Sequence, residues 1–382
     1  MIYFDNGATT FPKPRSVGDE MLRCINFYGG NPGRGAHSLS VAAAKKVFEC
    51  RETAAEFLGV GETERVFFTP NTTYGINAVL KGLLRKGDHV LISDLEHNAV
   101  WRPIHKMAIK GEISYDVFRT FAEEGVINAQ KICREIERYI LPNTRMVFCI
   151  HCSNICSAVL PIKEIGELCK NRGILFCVDG AQSAGHESID VDGNYIDALC
   201  LPGHKGLYGP QGSGIVALGR GVVLDTIMEG GNGVNSLTPE MPEEAPERYE
   251  VGTVATPCIA GLLAGLRAVR EKGIEEIKYH ENAIISRLCD AMKNMRGVKI
   301  YAPWHEGGIL LFNVRGMSSE RLAAELDREG ICVRGGYHCA GLAHHTLETP
   351  DGGAVRISVG MFNKESEADT FINRLNGIVR RG

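Results

Sequence analysis

The chain has 382 residues, which predicts about two domains, and its 44% hydrophobic and 23% charged residues are typical of a soluble globular protein. The formal net charge of −4 excludes a strong electrostatic preference for nucleic acid or for an anionic membrane surface. No apolar run reaches membrane-spanning length, and Asp5 interrupts the segment in which a signal peptide needs apolar residues. We therefore expect a cytoplasmic protein that binds neither nucleic acid nor a membrane.

Short apolar runs alternate with helical patterns over the first two thirds of the chain. The runs predict strands at 65–69, 89–93, 145–150, 174–179, 197–201 and 214–218, and the patterns between them predict helices near 41–58, 73–84, 127–139 and 163–171. Near-continuous apolar strands separated by helices indicate an α/β fold with a mainly parallel sheet covered by helices. Ligands bind such sheets at the carboxyl ends of the strands.

The pattern changes after about residue 256. Long helices are predicted at 258–271 and at about 275–296, followed by short strands and a final helix. We interpret this part as a smaller α+β domain. The predicted division is a large domain over residues 13–256 and a small domain formed by residues 1–12 together with residues 257–382.

Three polar features follow predicted strands of the large domain. Asp179 ends one strand in VDGAQSAG, and Lys205 follows the next strand in the glycine-rich stretch LPGHKGLYGPQGSG. Thr72 and Thr73 begin a predicted helix, where free N–H groups and the helix dipole favour a phosphate. An acid, a lysine and a phosphate-binding helix terminus together indicate pyridoxal phosphate. Taken singly, the acid is commonly a turn residue, the lysine a solvated side chain and the threonine pair a helix cap.

Several motifs together carry a resemblance to a known family. The run GHKGLYGPQG, with DGAQ upstream, TT before a helix and HC near the end, resembles the pyridoxal-phosphate-dependent cysteine desulfurases of the class V aminotransferase superfamily. The resemblance extends from FDNGATT at residue 4 to VRISVGMFN at 355–363, and it is nearer to group II, which includes selenocysteine lyases. It implies the fold-type I architecture.

The resemblance also implies roles for individual residues around the cofactor. Lys205 would bind the cofactor covalently and move protons at the substrate, Asp179 would hold the pyridine nitrogen, and His97 would stack on the ring. The remaining implied cofactor contacts are Gln182 at the ring hydroxyl, Asn154 beside the ring, and Thr72, Thr73 and His204 at the phosphate. Thr253 resembles a threonine that reaches the phosphate from a neighbouring subunit, which implies a homodimer.

Two further residues complete the implied reaction. Arg356 in AVRISVG matches the arginine that binds the substrate carboxylate, for which a planar guanidinium is well suited, and Arg334 is the next candidate. Cys339 in VRGGYHCAGLAHH matches the cysteine that takes sulfur from L-cysteine as a persulfide. We expect His338 and Arg334 to favour its thiolate. Most of the other twelve cysteines are expected to be buried packing residues in a reducing compartment.

The sequence departs from the family pattern at three places. Pro202 stands two residues before His204, where relatives usually offer a hydroxyl to the phosphate, and Gly206 is an extra residue after Lys205. The stretch GLAHHTLETPDGG after Cys339 replaces an apolar continuation. One phosphate contact, the substrate pocket or the sulfur acceptor therefore differs from the family pattern.

Other functions remain open at this point. Selenocysteine lyase, or another C–S lyase acting on a cysteine derivative, is the alternative within the enzymes, while plain transamination gives Cys339 no task. A metal site is indicated only loosely by CIHCSNIC and HCAGLAHH, because a second matching ligand pair is missing. A non-catalytic cofactor-binding protein is disfavoured by Lys205, Cys339 and Arg356. The sulfur acceptor, a protein or a small thiol, is not identified.

Overall fold

The computed structural model describes residues 1–33, 35–302 and 307–381. Within these ranges the strands are β1 (Ile2–Tyr3), β2 (Val66–Thr69), β3 (His89–Ser93), β4 (Ser114–Phe118), β5 (Thr144–Ile150), β6 (Leu175–Asp179), β7 (Ala198–Pro202), β8 (Gly214–Leu218), β9 (Val298–Tyr301), β10 (Ile309–Val314), β11 (Ile331–Cys332), β12 (Arg334–Gly336) and β13 (Ala354–Ser358). All six strands predicted for the large domain are present within one or two residues of their expected bounds.

The helices in the same ranges are α1 (Arg15–Phe27), α2 (Ser38–Phe57), α3 (Thr72–Leu83), α4 (Asn98–Ile109), α5 (Ala129–Tyr139), α6 (Ile162–Arg172), α7 (Thr256–Lys272), α8 (Ile274–Lys293), α9 (Ser319–Arg328), α10 (Gly341–Thr346) and α11 (Glu365–Arg381). In the described part of the chain no helix is long and apolar enough to cross a membrane.

The large sheet has the strand order β2-β8-β7-β6-β5-β3-β4. The pairs from β7 to β4 are all parallel, and β8 is antiparallel to both of its neighbours. Leu91 of β3 packs with α2, α5 and α6, whereas its neighbours Val90 and Ile92 pack with α3 and α4. Alternate side chains of β3 therefore point to opposite faces of the sheet, and both faces are covered by helices. The predicted α/β fold with a mainly parallel sheet covered by helices is confirmed.

A second, antiparallel sheet with the order β12-β13-β10-β9 follows in the carboxyl-terminal part of the chain. Buried side chains of β10 and β13 pack with those of α8, α9 and α11 in a separate core. The amino-terminal strand β1 pairs in parallel with β11, so residues 2 and 3 join this part of the molecule. The exact division of the chain into residues 13–256 and the remainder stays a prediction.

Candidate active site

A cavity of about 180 Å³ opens where three parallel strands of the large sheet end. Ile150, Asp179 and Pro202 are the last residues of β5, β6 and β7, and all three line it. Eight of the predicted site residues line the same cavity: Thr72, Thr73, His97, Asn154, Asp179, Gln182, His204 and Lys205. The structure therefore brings together residues that are up to 133 positions apart in the sequence, from Thr72 to Lys205.

Asp179 and Lys205 are the ionisable pair of the cavity. Asp179 is 1% exposed and accepts a hydrogen bond of 2.9 Å from the amide of Ala181. Burial raises the pKa of the Asp179 carboxyl, while the Ala181 amide and the Lys205 ammonium oppose this shift. Burial also lowers the pKa of the Lys205 amine from 10.5 to about 8, so more of it is neutral and nucleophilic near neutral pH than in an exposed lysine.

The loop that carries Lys205 is packed backbone to backbone. Gly206 follows the lysine, and a Cβ at this position would lie 2.2 Å from the carbonyl oxygen of Ala184. The carbonyl oxygen of Lys205 accepts hydrogen bonds from the Tyr208 amide at 2.8 Å and from the Thr10 hydroxyl at 3.1 Å. The glycine at this extra position thus allows a close backbone approach that holds the lysine in one place.

His97 caps helix α4 and faces the cavity. Its Nδ1 accepts a hydrogen bond of 3.0 Å from the Ala99 amide, which leaves the neutral ring protonated on Nε2. Burial first, and then the positive charges of Lys205 and Arg356, lower the pKa of His97 to about 4. The residue therefore offers a neutral aromatic ring, which suits stacking on a planar ligand.

Two polar atoms of the cavity lining are buried without a partner. They are the hydroxyl oxygen of Thr72, in the first turn of α3, and the side-chain oxygen of Asn154. Such atoms are costly unless a ligand or water completes their hydrogen bonds. A polar, planar, anionic ligand with its phosphate at α3 would satisfy both, so the lining fits pyridoxal phosphate. Pro202 lines the cavity without a hydroxyl, as its sequence position suggested.

The amino-terminal segment closes one side of the site, a contribution that the sequence reasoning missed. Gln182 donates a hydrogen bond of 2.9 Å from its amide to the carbonyl oxygen of Gly7, and His204 Nδ1 lies 3.1 Å from the Thr9 hydroxyl oxygen. Lys13 donates to the carbonyl oxygen of His204 at 2.7 Å. The motif FDNGATT was the available signal, but it served only as a mark of the family.

Arg356 and Arg334 lie beside the cavity and share one carboxylate. Arg356 is 2% exposed and donates to Asp5 Oδ1 at 2.9 Å and to the Asn154 carbonyl oxygen at 3.1 Å. Arg334, which is paired with Arg356 in the register of β12 and β13, donates to Asp5 Oδ2 at 2.7 Å. Burial lowers the pKa of the Arg356 guanidinium, which Asp5 opposes. Asp5 was not predicted as a site residue.

Cys339 lies on the loop between β12 and α10 and is exposed, whereas the other twelve cysteines are buried or half-buried. Its carbonyl oxygen accepts a hydrogen bond of 2.7 Å from the Asn98 amide, next to His97. The Asn154 side-chain amide donates to the carbonyl oxygen of His338 at 2.9 Å. These two contacts attach the Cys339 loop to the rim of the cavity.

The expectation that His338 supplies positive charge to Cys339 is wrong. Burial first, and then the charge of Arg356, lower the pKa of His338 to about 3, so the ring is neutral at ordinary pH. Its two nitrogens face His344 and the carbonyl oxygen of Arg334. The cations that interact electrostatically with Cys339 include Arg334 and Lys205.

Thr253 does not reach the cavity of its own chain. It is exposed, accepts a hydrogen bond of 3.3 Å from the Asn31 side chain, and lines a separate open groove of about 1130 Å³. The other walls of this groove come from residues 31–33, 35 and 37, from α2 between Ser40 and Arg51, from Thr63 and Glu64, and from the segment 231–254. A contribution of Thr253 to a cofactor site would therefore require a second copy of the chain.

Comparisons with known proteins agree with this geometry. The family model described as aminotransferase class-V matches residues 2–371. The chain is 34% identical to a probable cysteine desulfurase of Methanothermobacter thermautotrophicus, covering 100% of this chain and 95% of the relative, and 31% identical to one of Pyrococcus abyssi, covering 100% and 94%. An apo structure of a cysteine desulfurase from Thermococcus onnurineus NA1 superposes with a TM-score of 0.90 at 30% identity, covering 100% and 95%.

Proposed function

The chain belongs to the class V aminotransferase family, and we propose that it is a pyridoxal-phosphate-dependent cysteine desulfurase. The reaction converts L-cysteine to L-alanine and leaves the sulfur on Cys339 as a persulfide. The observation that carries the proposal is the joint placement of Lys205, Asp179 and the two unpartnered polar atoms of Thr72 and Asn154 around one cavity. The exposed Cys339 lies on a loop attached to its rim.

The residues of the cavity have distinct tasks toward the cofactor. The cofactor supplies an electron sink that weakens bonds at the substrate α-carbon. With the cofactor bound, Asp179 would hold a proton on the pyridine nitrogen, and His97 would cover one face of the ring. The first turn of α3, with Thr72 and Thr73, would bind the phosphate together with His204. Lys205 would be the covalent anchor.

Four charged or nucleophilic groups then bind the substrate and cleave its C–S bond. Arg356 binds the carboxylate of L-cysteine, with Arg334 as the second cation. The freed Lys205 amine takes the α-proton and later returns a proton to the product. The Cys339 thiolate attacks the substrate sulfur, so that an S–S bond forms as the C–S bond breaks. The electron pair of the C–S bond goes to the β-carbon, which takes up a proton, and a second proton returns to the α-carbon. Alanine leaves, and the outer sulfur remains on Cys339.

The same site suits a second candidate reaction, selenocysteine lyase. The basis is the nearer resemblance of the motifs to group II, the branch that includes selenocysteine lyases. We also propose that the enzyme is a cytoplasmic homodimer with Thr253 at the partner's site, and that a protein or small thiol accepts the persulfide sulfur. The 13 cysteines, none of them in a disulfide, support a reducing compartment.

The test is product analysis combined with mass spectrometry. Purified holoenzyme is incubated separately with L-cysteine, L-selenocysteine and cystine, and alanine, pyruvate and sulfide or selenide are quantified. We expect alanine from L-cysteine and one extra sulfur on the peptide that carries Cys339. A faster rate with L-selenocysteine that does not depend on Cys339 would favour the lyase, and pyruvate as the main product would indicate a β-eliminating lyase.

Two serine variants assign the sulfur acceptor within the chain. Cys339→Ser should retain the cofactor absorbance, because Lys205 is the anchor, and lose alanine production from L-cysteine. Cys332→Ser is the matched control, since Cys332 is the nearest cysteine in the sequence and is half-buried. Alanine production by Cys339→Ser at the wild-type rate would refute the proposed mechanism.

A further inference from the structure

Two nearly coplanar histidine rings meet edge to edge beside the loop that carries Cys339. The rings of His338 and His344 have centroids 5.5 Å apart and an interplanar angle of 13°. His338 Nδ1 lies 3.2 Å from His344 Nε2, and His338 Nε2 lies 3.0 Å from the carbonyl oxygen of Arg334. His344 Nδ1 lies 2.8 Å from the Thr349 hydroxyl oxygen, and His344 is 3% exposed.

The chemistry of these groups determines which atom donates in each hydrogen bond of the series from Arg334 through His338 and His344 to Thr349. A carbonyl oxygen only accepts, so His338 Nε2 donates to Arg334 and its Nδ1 is an acceptor in the neutral ring. His344 Nε2 must then donate to His338, which leaves His344 Nδ1 to accept from the Thr349 hydroxyl. Burial lowers the pKa of both rings, to about 3 and about 4, so both are neutral. The pair thus connects α10 to β12 with every ring nitrogen satisfied.

The backbone beside this pair is in an uncommon conformation. His338 and Cys339 have successive φ angles of 50° and 55°, in the left-handed region that residues other than glycine rarely adopt. Such strain persists only where the surroundings hold it. The carbonyl oxygens of both residues are held, by Asn154 at 2.9 Å and by the Asn98 amide at 2.7 Å. The ring of His338 is held by His344.

We propose that His344 is a positioning residue for sulfur transfer, which it serves by fixing the His338 ring and, through it, the strained backbone of Cys339. The proposal rests on the function proposed above. Without His344 the loop would relax, and the thiol would be displaced from the sulfur of a substrate whose carboxylate is bound at Arg356. Because a displacement of about 1 Å can cost about a hundredfold in rate, a contact outside the cavity can control the transfer step.

Two other tasks for the pair conflict with the structure. A cationic His338 that lowers the pKa of the thiol would be protonated on both nitrogens, whereas burial keeps the ring neutral. A metal ion would need three or more ligands, and among the described residues no such group of His, Cys, Asp or Glu side chains is present. Fixing the loop is the task that both the hydrogen bonds and the backbone angles support.

The experiment compares three variants of the holoenzyme. His344→Leu removes both ring nitrogens, while His344→Gln keeps a donor for His338 and an acceptor for Thr349. His345→Leu is the matched control, because it makes the same change at the adjacent, exposed position of α10. The readouts are the single-turnover rate of persulfide formation on Cys339, kcat and KM for L-cysteine, and hydrogen–deuterium exchange of the peptide containing residues 337–345.

We expect His344→Leu to lower the persulfide rate and kcat by about tenfold or more while KM changes by less than about twofold, because binding at Arg356 is untouched. Amide exchange in the loop should accelerate. His344→Gln should recover most of the rate and of the protection, and His345→Leu should match the wild type. Wild-type rates and exchange in His344→Leu, or equal losses in His344→Leu and His344→Gln, would overturn the proposal.

Two outcomes of this experiment call for a further measurement, namely a variant that does not fold and a wild type that forms no persulfide. If His344→Leu does not fold, Thr349→Val takes its place, since it removes only the hydroxyl that donates to His344 Nδ1, and the same loss and exchange are expected in smaller measure. If the wild type forms no persulfide on Cys339, the proposed function fails, and loop exchange alone then decides on the positioning role. Faster exchange in His344→Leu than in His344→Gln supports it, and equal exchange contradicts it.

Discussion

Arg356 carries its charge in a place that water hardly reaches. The guanidinium is 2% exposed and shares the Asp5 carboxylate with the half-exposed Arg334, while its Nε is buried without a partner. Two cations and one anion leave one positive charge in excess. A single added carboxylate neutralises this cluster and can complete the hydrogen bonds of Arg356, so the site is suited to a substrate with one carboxylate.

Arg356→Ala should raise KM for L-cysteine by about ten- to a hundredfold, because a charged bidentate contact contributes roughly 1.5–3 kcal/mol. Arg356→Lys keeps the charge but loses the planar fork, so its KM should lie between the two. Steady-state kinetics provide the measurement, with the exposed Arg328→Ala as control. An unchanged KM in Arg356→Ala would place the carboxylate at Arg334 instead.

Glu96 is a second buried ionisable group, and its effect on stability should depend on pH. One oxygen accepts hydrogen bonds from the Ser93 hydroxyl and the Ile150 amide, while the other is buried without a partner. Burial raises the pKa of Glu96 to about 8. Between its ordinary pKa of 4.5 and about 8, the unfolded chain has released this proton and the folded chain retains it, so stability falls as pH rises.

Glu96→Gln should therefore be more stable than the wild type above pH 8, by at most about 5 kcal/mol at 1.36 kcal/mol per pKa unit. The difference should shrink as pH falls toward 4.5, where the wild-type side chain is protonated in both states. Thermal unfolding of the cofactor-free proteins across this range measures it. A difference in Tm that is constant with pH would mean that Glu96 is ionised in the folded protein.

At the scale of elements, the residue that caps helix α3 contributes both to the stability of the helix and to the lining of the cavity. The Asn71 side chain accepts a hydrogen bond of 2.9 Å from the Tyr74 amide and lines the cavity. Asn128 caps α5 in the same way, at 2.9 Å from the Lys131 amide, but does not line the cavity. The two caps therefore form a natural pair for separating stability from cofactor binding.

Asn71→Ala and Asn128→Ala should each lower the free energy of unfolding by about 1 kcal/mol, the usual effect of losing such a cap. Only Asn71→Ala should also release the cofactor faster, since it loosens the helix terminus that binds the phosphate. Denaturant unfolding and the rate at which absorbance is lost on dilution give the two values. Equal cofactor retention in both variants would remove α3 from the phosphate site.

The strands that were predicted from the sequence are more deeply buried than the one that was missed. The strands β3, β5 and β7 are nearly all buried, so their apolar runs were readable, whereas β4 at the sheet edge is half-exposed and was missed. Helix α4 was missed although it carries His97 at its cap, and it contains an internal proline, a residue that sequence patterns associate with helix ends.

The site residues, too, could be predicted from the sequence only in part. The residues at strand ends were predictable, because parallel strands place their carboxyl ends at one edge of the sheet. Asp5 was not, since its partner Arg356 lies 351 positions away and the contact exists only after β1 joins β11. The neutral state of His338 also depends on burial that sequence position alone does not reveal.

At the scale of the whole molecule, one face is suited to a second copy of the chain. Helix α1 exposes Leu22, Ile25 and Phe27, and the adjacent helix α2 exposes Val41 and Phe48. The two helices are connected by an ion pair between Lys46 and Glu20. Exposed apolar side chains on neighbouring helices commonly mark an interface. Of these five residues, Phe48 also lines the groove that contains Thr253.

We expect sedimentation at twice the chain mass of 41.7 kDa, and faster loss of cofactor from Thr253→Ala than from the wild type. The exposed Thr238→Ala in the same segment is the control. An active monomer at assay concentrations would contradict a shared site.

A mixed dimer identifies the subunit that Thr253 serves. In a dimer of one Lys205→Ala chain and one Thr253→Ala chain, only the second chain retains a lysine to anchor the cofactor. If Thr253 acts across the interface, that remaining site receives an intact threonine from the Lys205→Ala chain, so the cofactor should be retained as in the wild type and activity should be half. If Thr253 acts within its own chain, the same site lacks the threonine and loses cofactor as fast as the Thr253→Ala homodimer. Affinity-tagged chains purified as mixed dimers allow the two dissociation rates to be compared directly.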